Sequence, residues 1–333
     1  MGATGLGISE IGFGCGDTAG LLTGGPAEEQ QRAIRRAVEL GINHFDTAPN
    51  YGERTGGTGA GETNLGRTLK ELDARLTVAT KIDFRPDDFA DIAGHIRRSI
   101  DASLERLGLD AIDVLYLHNR VGRERMLKPG AMSSRMALTD VLGPKGVAET
   151  FEELRSAGTV RVAGFCSSGG DASANREIIE SGAFQCVQLV YNLFNPTEGR
   201  RPPTGFEGPD FGQTIEAAAE KGMGVVAIKV LAGGPLGGSP VPHPLNRGSR
   251  TEAEFEAGAR QARALAFMEV EGEHTIAQAA VQYVLTNPRV SCALVGFSSV
   301  EQVEEAAWAS DQGGLLPGDI SSIEDLYARD FLE

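Results

Sequence analysis

The sequence has few basic residues and no long apolar stretch, and both shortages exclude classes of protein. Lys and Arg number 31 against 46 Asp and Glu, and the resulting net charge of −15 argues against a nucleic-acid partner, whose phosphates are anionic. No run of about 18 apolar residues and no basic-plus-apolar leader is present, so we expect neither a membrane segment nor export. We therefore expect a cytoplasmic protein that acts on a small molecule.

Cysteine is also scarce, and the cysteines follow no paired pattern. They are Cys15, Cys166, Cys186 and Cys292, with no Cys-x-x-Cys spacing. Two disulfides are one interpretation, but each cysteine lies in or beside an apolar, strand-like segment. We expect buried and reduced thiols, which are typical of a reducing compartment, and we expect no metal site.

Short β-rich segments alternate with amphipathic helical segments along the 333 residues of the chain. The predicted strands are 10–14, 43–46, 76–81, 112–118, 160–165, 186–190, 224–229 and 291–296. Several are almost continuous apolar runs, as expected of parallel strands that are covered on both faces. This pattern predicts one domain over residues 1–333 with the fold of a (β/α)8 barrel. A Rossmann fold is the alternative, but no predicted strand is followed by Gly-x-Gly-x-x-Gly.

Helices are predicted between these strands, at 26–40, 89–107, 146–157, 211–221 and 275–285. Three connections are too long to be simple turns: 119–145, 195–210 and 232–251. All three follow predicted strand ends and are rich in Gly, Pro and Arg. Because the carboxyl ends of barrel strands hold the active site, we expect substrate loops here rather than idle surface insertions.

Four reactive side chains lie at or just after predicted strand ends: Asp46, Tyr51, Lys81 and His118. Each alone has a structural explanation, such as a helix cap for Asp46 or a core imidazole for His118. Together they can exchange a proton with a carbonyl oxygen. We expect Lys81 to lower the pKa of the Tyr51 phenol, Asp46 to hold Lys81, and His118 to orient the carbonyl. None of these groups donates hydride, so a nicotinamide must supply that step.

Six ordered motifs resemble the aldo-keto reductase family over nearly the whole chain. They are GINHFDTA (41–48) with YG (51–52), ETNLG (62–66), ATK (79–81), IDVLYLH (112–118), VQLVYN (187–192), and VG (295–296) followed by EQVEE (301–305). The resemblance implies a (β/α)8 barrel with an extended dinucleotide across its mouth and the four reactive residues as a catalytic tetrad. The long connection 119–145 resembles the bacterial aldose and pyridoxal dehydrogenase branch of the family.

The resemblance also implies which residues bind the cofactor. They are Gly14, Cys15, Asp46, Ser167, Gln188, Lys229, Leu231, Gly233, Gly296, Ser298, Gln302 and Glu305. Ser167 and Gln188 correspond to contacts with the nicotinamide amide, and Leu231 and Gly233 to contacts with the pyrophosphate. The chain departs from the family pattern at Ala306, where an asparagine often contacts adenine.

The segment after the last predicted strand favours NAD over NADP. Family members that bind NADP hold its 2′-phosphate with Lys or Arg there, whereas this chain has no basic residue between positions 289 and 329. Three carboxylates occupy the stretch instead: Glu301, Glu304 and Glu305. Carboxylates repel a phosphate and suit ribose hydroxyls, so we expect NAD. A basic residue from a loop, Lys229 or Arg247, would still allow NADP.

The function that we predict is an NAD-linked dehydrogenase of an aldose or a pyridoxal-like substrate, with Tyr51 as the general acid or base. One alternative is an NADPH-dependent carbonyl reductase of broad specificity. Another is a non-catalytic relative that binds the cofactor as a regulatory subunit. A Schiff-base aldolase that uses Lys81 is also conceivable on a barrel.

Overall fold

A computed structural model describes residues 1–72, 74–127, 134–239, 241–245, 251–270 and 274–331. Eight parallel strands close into a barrel in chain order, and the last strand pairs with the first. They are β1 (Ile11–Gly14), β2 (His44–Asp46), β3 (Thr77–Ile82), β4 (Ile112–Leu117), β5 (Val160–Cys166), β6 (Cys186–Val190), β7 (Gly224–Ile228) and β8 (Cys292–Gly296). The predicted (β/α)8 barrel is confirmed, and each predicted strand agrees with the observed one to within one residue at either end.

Helices follow the strands along the chain. They are α1 (Leu21–Gly24), α2 (Ala27–Glu39), α3 (Ala60–Leu69), α4 (Ile92–Leu107), α5 (Leu138–Leu142), α6 (Val147–Ser156), α7 (Ala172–Ser181), α8 (Thr214–Glu220), α9 (Glu252–Ala264), α10 (Ile276–Leu285), α11 (Val300–Asp311) and α12 (Pro317–Ala328). The helix predicted from position 89 begins later, because the Asp91 side chain caps α4 by accepting from the Gly94 amide at 2.9 Å. Within the described ranges, no helix has both the length and the apolar character needed to cross a membrane.

The connection 119–145 contains more regular structure than the sequence indicated. Two short strands, Val121–Gly122 and Met136–Ala137, pair with each other, and α5 follows them directly. The Asp140 carboxylate accepts from the Ala137 amide at 3.0 Å and also binds the Arg125 guanidinium. Positions 128–133 of this connection lie outside the described residues.

The register of the strands places the reactive residues at one mouth of the barrel. Asp46 pairs with Gly14 on one side and with Ala79 on the other. Lys81 pairs with Tyr116 in β4, whose last residue immediately precedes His118. Because all strands run in the same direction, their carboxyl ends open on the same side.

The barrel interior is filled with side chains, and every residue of β3 is buried. Val114 and Tyr116 of β4 pack there with Leu6, which together with Met1 and Ile8 covers the amino-terminal end. Each fully buried aliphatic or aromatic side chain contributes roughly 1.5–3 kcal/mol. All four cysteines are buried, and none forms a disulfide.

The ETNLG motif has a structural role beside the active site. Glu62 of α3 is fully buried and accepts hydrogen bonds from Thr80 Oγ1 at 2.5 Å and from Arg106 Nε at 2.6 Å. Thr80 lies in β3 and Arg106 in α4, so one carboxylate ties two helices to the strand that carries Lys81. The two bonds neutralise a charge that would otherwise be too costly to bury.

Candidate active site

The carboxyl ends of β2 and β3 hold a buried ion pair. The Lys81 ammonium donates to Oδ1 of Asp46 and, at 2.8 Å, to the carbonyl oxygen of Thr47. The two side chains are only 1% and 2% exposed. Water therefore screens the pair poorly, and the carboxylate fixes the position of the ammonium.

Asp46 also has a partner across the barrel. Gln188 of β6 donates from Nε2 to Oδ2 of Asp46 at 2.6 Å, while its Oε1 accepts from the Cys166 thiol at 3.5 Å. Both oxygens of Asp46 are thus hydrogen-bonded, which stabilises the charged form that Lys81 needs. The structure engages the Gln188 amide inside the barrel, rather than directing it only to a nicotinamide as the family resemblance implies.

Tyr51 lies in the turn that follows β2, with its ring against the backbone of Gly16. A Cβ atom placed on Gly16 would lie 3.3 Å from the Tyr51 ring, which explains why the smallest residue is found there. Lys81 Nζ lies 4.9 Å from the centre of the same ring. The His118 ring is 6.0 Å from the Tyr51 ring, centre to centre, and nearly perpendicular to it at 84°. The structure therefore brings the four predicted catalytic residues together.

His118 follows β4, and its amide donates to the carbonyl oxygen of Ile82 at 2.9 Å. Burial, with a smaller contribution from the nearby Lys81 ammonium, lowers the pKa of His118 to about 3. The imidazole is therefore neutral near pH 7 and carries one N–H that can donate to a substrate oxygen.

Protonation of Tyr51 and Lys81 differs in part from the sequence-based expectation. Burial raises the pKa of Tyr51 to about 12, although the Lys81 ammonium acts in the expected, opposite direction. Burial would lower the pKa of Lys81, but the Asp46 carboxylate and Tyr51 outweigh it and raise that pKa. Lys81 is therefore protonated, and an ammonium is a poor nucleophile. This protonation state argues against the Schiff-base aldolase.

A cleft of about 250 Å³ opens beside the catalytic groups. Its walls come from the loops after β1, β2, β3 and β4: Gly16, Asp17, Thr18, Asn50, Tyr51, Arg54, Asp83 and His118. The described parts of the three long connections predicted to be substrate loops contribute none of these residues. The shorter loops at the carboxyl ends of four consecutive strands form the walls instead.

Sequence reasoning missed Asp83, Asn50 and Asp17 as site residues. Asp17 accepts from the Gly52 amide at 3.0 Å, which fixes the turn that carries Tyr51. Asp83 was detectable, because it follows β3 directly and the other catalytic residues were found by their places at strand ends. Asn50 stands beside Tyr51 within a motif that was recognised for other reasons.

A narrower groove lies between the loops that follow β7 and β8. Among the residues that line it are Leu231, Gly237, Gly296, Gln302, Glu305 and Ala306. Four of the predicted cofactor residues therefore line one groove. A Cβ atom on Gly296 would lie 3.0 Å from the Ala19 side chain, so the loop after β1 packs closely against this position.

Other predicted cofactor residues surround the same mouth. Ser298 donates from Oγ to the Ala19 carbonyl at 2.7 Å, and its amide donates to Gln302 Oε1 at 2.8 Å. Lys229 is exposed and has a positive φ, as have Ala232 and Gly233 in the same loop. Runs of such conformations arrange backbone N–H groups around anions.

Gly14, Cys15 and Ser167 are buried or partly buried at the carboxyl ends of β1 and β5. Gly14 pairs with Gly296 and Asp46, and the Cys15 amide donates to the Asp46 carbonyl at 2.9 Å. Burial raises the pKa of the Cys15 thiol, which makes it unreactive. Ser167 Oγ donates to Glu198 Oε1 at 3.3 Å.

The three carboxylates of α11 face different surroundings. Only Glu305 lines the groove, and its Oε1 accepts from Thr275 Oγ1 at 2.6 Å. Glu304 binds Arg36 of α2 at 2.7 Å. Glu301 is exposed, and a hydrogen bond with Ser299 lowers its pKa. Of the acidic run that the sequence indicated, one carboxylate therefore lines the groove. Arg247 lies outside the described residues.

One mouth of the barrel holds a phenol, a neutral imidazole and a buried ammonium, and none of these groups donates hydride. This is the architecture of a nicotinamide-dependent oxidoreductase. Residues 10–328 match the model of the Aldo/keto reductase family, and the chain belongs to that family. It is 31% identical to L-galactose dehydrogenase of Arabidopsis thaliana over 345 residues, which cover 98% of this chain and 92% of that protein.

Relatives from bacteria support the same assignment. D-threo-aldose 1-dehydrogenase of Pseudomonas sp is 28% identical, with 92% of this chain and 90% of that protein covered. Pyridoxal 4-dehydrogenase of Microbacterium luteolum is 25% identical with the same coverage of 92% and 90%. A solved structure of an aldo-keto reductase from Bacillus halodurans in its holo form has the same fold, with a TM-score of 0.71 at 23% identity and coverage of 98% and 94%. The predicted enzyme class, an NAD(P)-dependent oxidoreductase, is confirmed.

Proposed function

We propose that the enzyme oxidises the hemiacetal hydroxyl of an aldose to a lactone, with NAD as the hydride acceptor. One observation carries the proposal: hydrogen-bonding groups, among them Asp17, Asn50 and Asp83, line the cleft beside Tyr51 and His118. A substrate with several hydroxyls satisfies such groups, whereas an alkyl aldehyde leaves them unpaired at a cost of roughly 1–3 kcal/mol each. The relatives named as L-galactose and D-threo-aldose dehydrogenases support this substrate class.

In this proposal each of the four catalytic residues has a separate role in proton transfer at the reacting oxygen. Tyr51 exchanges the proton of the reacting hydroxyl. Lys81, held by Asp46, opposes the effect of burial on the Tyr51 phenol and so increases the fraction of phenolate that can accept the proton. His118 donates its N–H to the reacting oxygen and orients it. A bound nicotinamide would supply the acceptor for the hydride that leaves the carbon.

The residues that line the groove between the β7 and β8 loops support binding of the adenosine half of a dinucleotide there. Gln302 and Glu305 would supply acceptors for ribose hydroxyls. Within the described residues its lining includes a carboxylate and no basic side chain, and this composition supports NAD over NADP. Leu231 and Gly233 would hold the pyrophosphate and Ser167 the nicotinamide amide.

The decisive experiment is a rate matrix with purified protein. Formation of NADH and of NADPH is followed at 340 nm with aldoses of both series and pyridoxal, and oxidation of each reduced cofactor is followed with simple aldehydes. The proposal expects the highest kcat/KM with NAD and an aldose. Faster turnover with NADPH and unsubstituted aldehydes would exclude it.

A second candidate function is the NADPH-dependent reduction of a short, anionic aldehyde. It is favoured by Arg54, a cation that lines the cleft with Asp17 Oδ2 at 4.0 Å. Two relatives from Escherichia coli are named as reductases of such an aldehyde, L-glyceraldehyde 3-phosphate. The same rate matrix distinguishes the candidates when a phosphorylated aldehyde is included.

Three further expectations accompany the proposal. The barrel pairs its first strand with its last, which supports one domain over residues 1–333. The net charge of −15 supports a small-molecule substrate rather than nucleic acid. The four buried, unbonded cysteines support a cytoplasmic location. Fractionation of the expressing cells and limited proteolysis test the location and the domain.

A further inference from the structure

Asp83 and Asn50 form a polar pair in the wall of the cleft. Asp83 lies two positions after Lys81, and Asn50 immediately precedes Tyr51. Asn50 Nδ2 donates to Asp83 Oδ2 at 3.2 Å, which links the loops after β2 and β3. The remaining oxygens, Asp83 Oδ1 and Asn50 Oδ1, are buried and have no hydrogen-bond partner among the described residues.

Two basic side chains near this pair in the described structure, Arg85 and His95, bind other partners than the Asp83 carboxylate. Arg85, which is closest in sequence, binds Glu53. His95 Nδ1 lies 3.1 Å from Asp88, and its Nε2 contacts the backbone oxygen of Asp83 at 3.0 Å rather than the carboxylate. Burial is the main cause that raises the pKa of Asp83 to about 7. Near neutral pH the side chain can therefore accept from a ligand hydroxyl or, when protonated, donate to one.

Two unpaired buried oxygens are costly unless a ligand satisfies them. A buried polar atom without a partner is uncommon in folded proteins, and here two such atoms belong to residues that line the same cleft as the catalytic phenol. Both are acceptors, so they match the O–H groups of a polyol and not the carbon chain of a simple aldehyde.

We propose that Asp83, positioned by Asn50, determines specificity by hydrogen bonding to a hydroxyl on the carbon chain next to the reacting carbon. The enzyme then selects hydroxylated substrates over their deoxy analogues. This inference rests on the proposed function only in that the substrate occupies this cleft, and it holds for either direction of the reaction.

The test compares substrates that differ by hydroxyl groups in proteins that differ at one residue. Glyceraldehyde and propanal are reduced with either cofactor, and an aldose and its 2-deoxy analogue are oxidised. Asp83→Ala should lower kcat/KM for the hydroxylated member of each pair by about tenfold to a hundredfold, and that for the analogue by less than about threefold. Asp83→Asn, which keeps an acceptor oxygen, should retain part of the preference.

Asp87→Ala is the matched control, because Asp87 is exposed in the neighbouring turn and does not line the cleft. Thermal melting verifies the fold of each variant, and Asn50→Ala gives a second test if Asp83→Ala does not fold. The inference is overturned if the Asp83 and Asn50 variants lose kcat/KM equally for both substrates of a pair. A wild-type enzyme that reduces glyceraldehyde in preference to propanal, yet oxidises no aldose, overturns the proposed function and leaves this inference standing.

Discussion

Replacing Lys81 by methionine removes the ammonium from the buried pair with Asp46 while keeping a side chain of similar length. The carboxylate then stays inside the barrel with Gln188 Nε2 as its remaining hydrogen-bond donor, at 2.6 Å. Removing one partner of a buried pair costs roughly 3–5 kcal/mol, because the other charge is left uncompensated. We expect this full cost here, since the two side chains are only 1% and 2% exposed.

The corresponding change in melting temperature follows from the size of the chain. Unfolding entropy of about 2.1 cal/mol/K per residue over 333 residues converts the loss into a fall of roughly 4–7 °C. The double variant Asp46→Asn/Lys81→Met carries no uncompensated charge, so it should melt above the single Lys81→Met variant. The sign of the interaction in this double-mutant cycle is the measured quantity.

Calorimetry at pH 7 on the wild type, the two single variants and the double variant provides the data. If the losses of unfolding free energy in the two single variants sum to the loss in the double variant, the pair contributes no coupling energy and the reasoning is refuted. The Lys81→Met enzyme, assayed well below its melting temperature, should also lose activity by roughly 10²–10⁴-fold, because Tyr51 loses the charge that favours its phenolate. The raised pKa of Lys81 means that the pair's stabilisation is complete below about pH 10 and is lost only as the pH rises through the folded-state value.

Three further variants test separate parts of the site. Tyr51→Phe should reduce kcat by about 10²–10⁴-fold with unchanged cofactor affinity, and stopped-flow turnover at the wild-type rate would refute the role of Tyr51 as the general acid or base. Glu198→Gln should raise the melting temperature at pH 8 and not at pH 4, because burial raises the pKa of Glu198 to about 7 and the stabilisation of its protonated form is lost as the pH rises through that value. That gain should be about 3 kcal/mol, or about 4 °C, in scanning calorimetry. Glu305→Arg should shift the ratio of NADP to NAD dissociation constants about tenfold towards NADP in fluorescence titrations, whereas Glu304→Arg, which faces α2, should not.

The fold could be predicted from the sequence because its signals are local. Apolar runs such as 224–228 set the strands to within one residue, glycines that follow helices set the helices to within three, and eight repeats of one unit leave few closed arrangements. The short helix α5 of the long connection 119–145 could not be predicted in this way. α5 has only five residues, and Asp140, which caps it and binds Arg125, has no distinctive sequence signal.

The candidate site was predictable where function depends on strand ends and unpredictable where it depends on side-chain direction. Asp46, Lys81 and His118 follow from register alone. Whether Glu304 or Glu305 faces the groove depends on the rotation of α11, which one sequence does not define. Likewise, the pKa of Tyr51 depends on how deeply the ring is buried, and burial outweighs the nearby ammonium that the sequence revealed.

The protonation states of the tetrad bear on the direction of the reaction. With a pKa of about 12 for Tyr51 and about 3 for His118, both groups are mainly neutral near pH 7 and can donate to the reacting oxygen, and in oxidation the minor phenolate form of Tyr51 accepts the proton. They therefore stabilise negative charge on the reacting oxygen, and this charge develops in the same transition state whether the oxygen ends as a carbonyl or as a hydroxyl. The tetrad lowers the barrier in both directions and cannot choose between them. The choice depends on which dinucleotide is bound and how oxidised its cellular pool is. If the groove between the β7 and β8 loops holds the adenosine half, as we propose, Glu305 is the residue there that we expect to influence the direction.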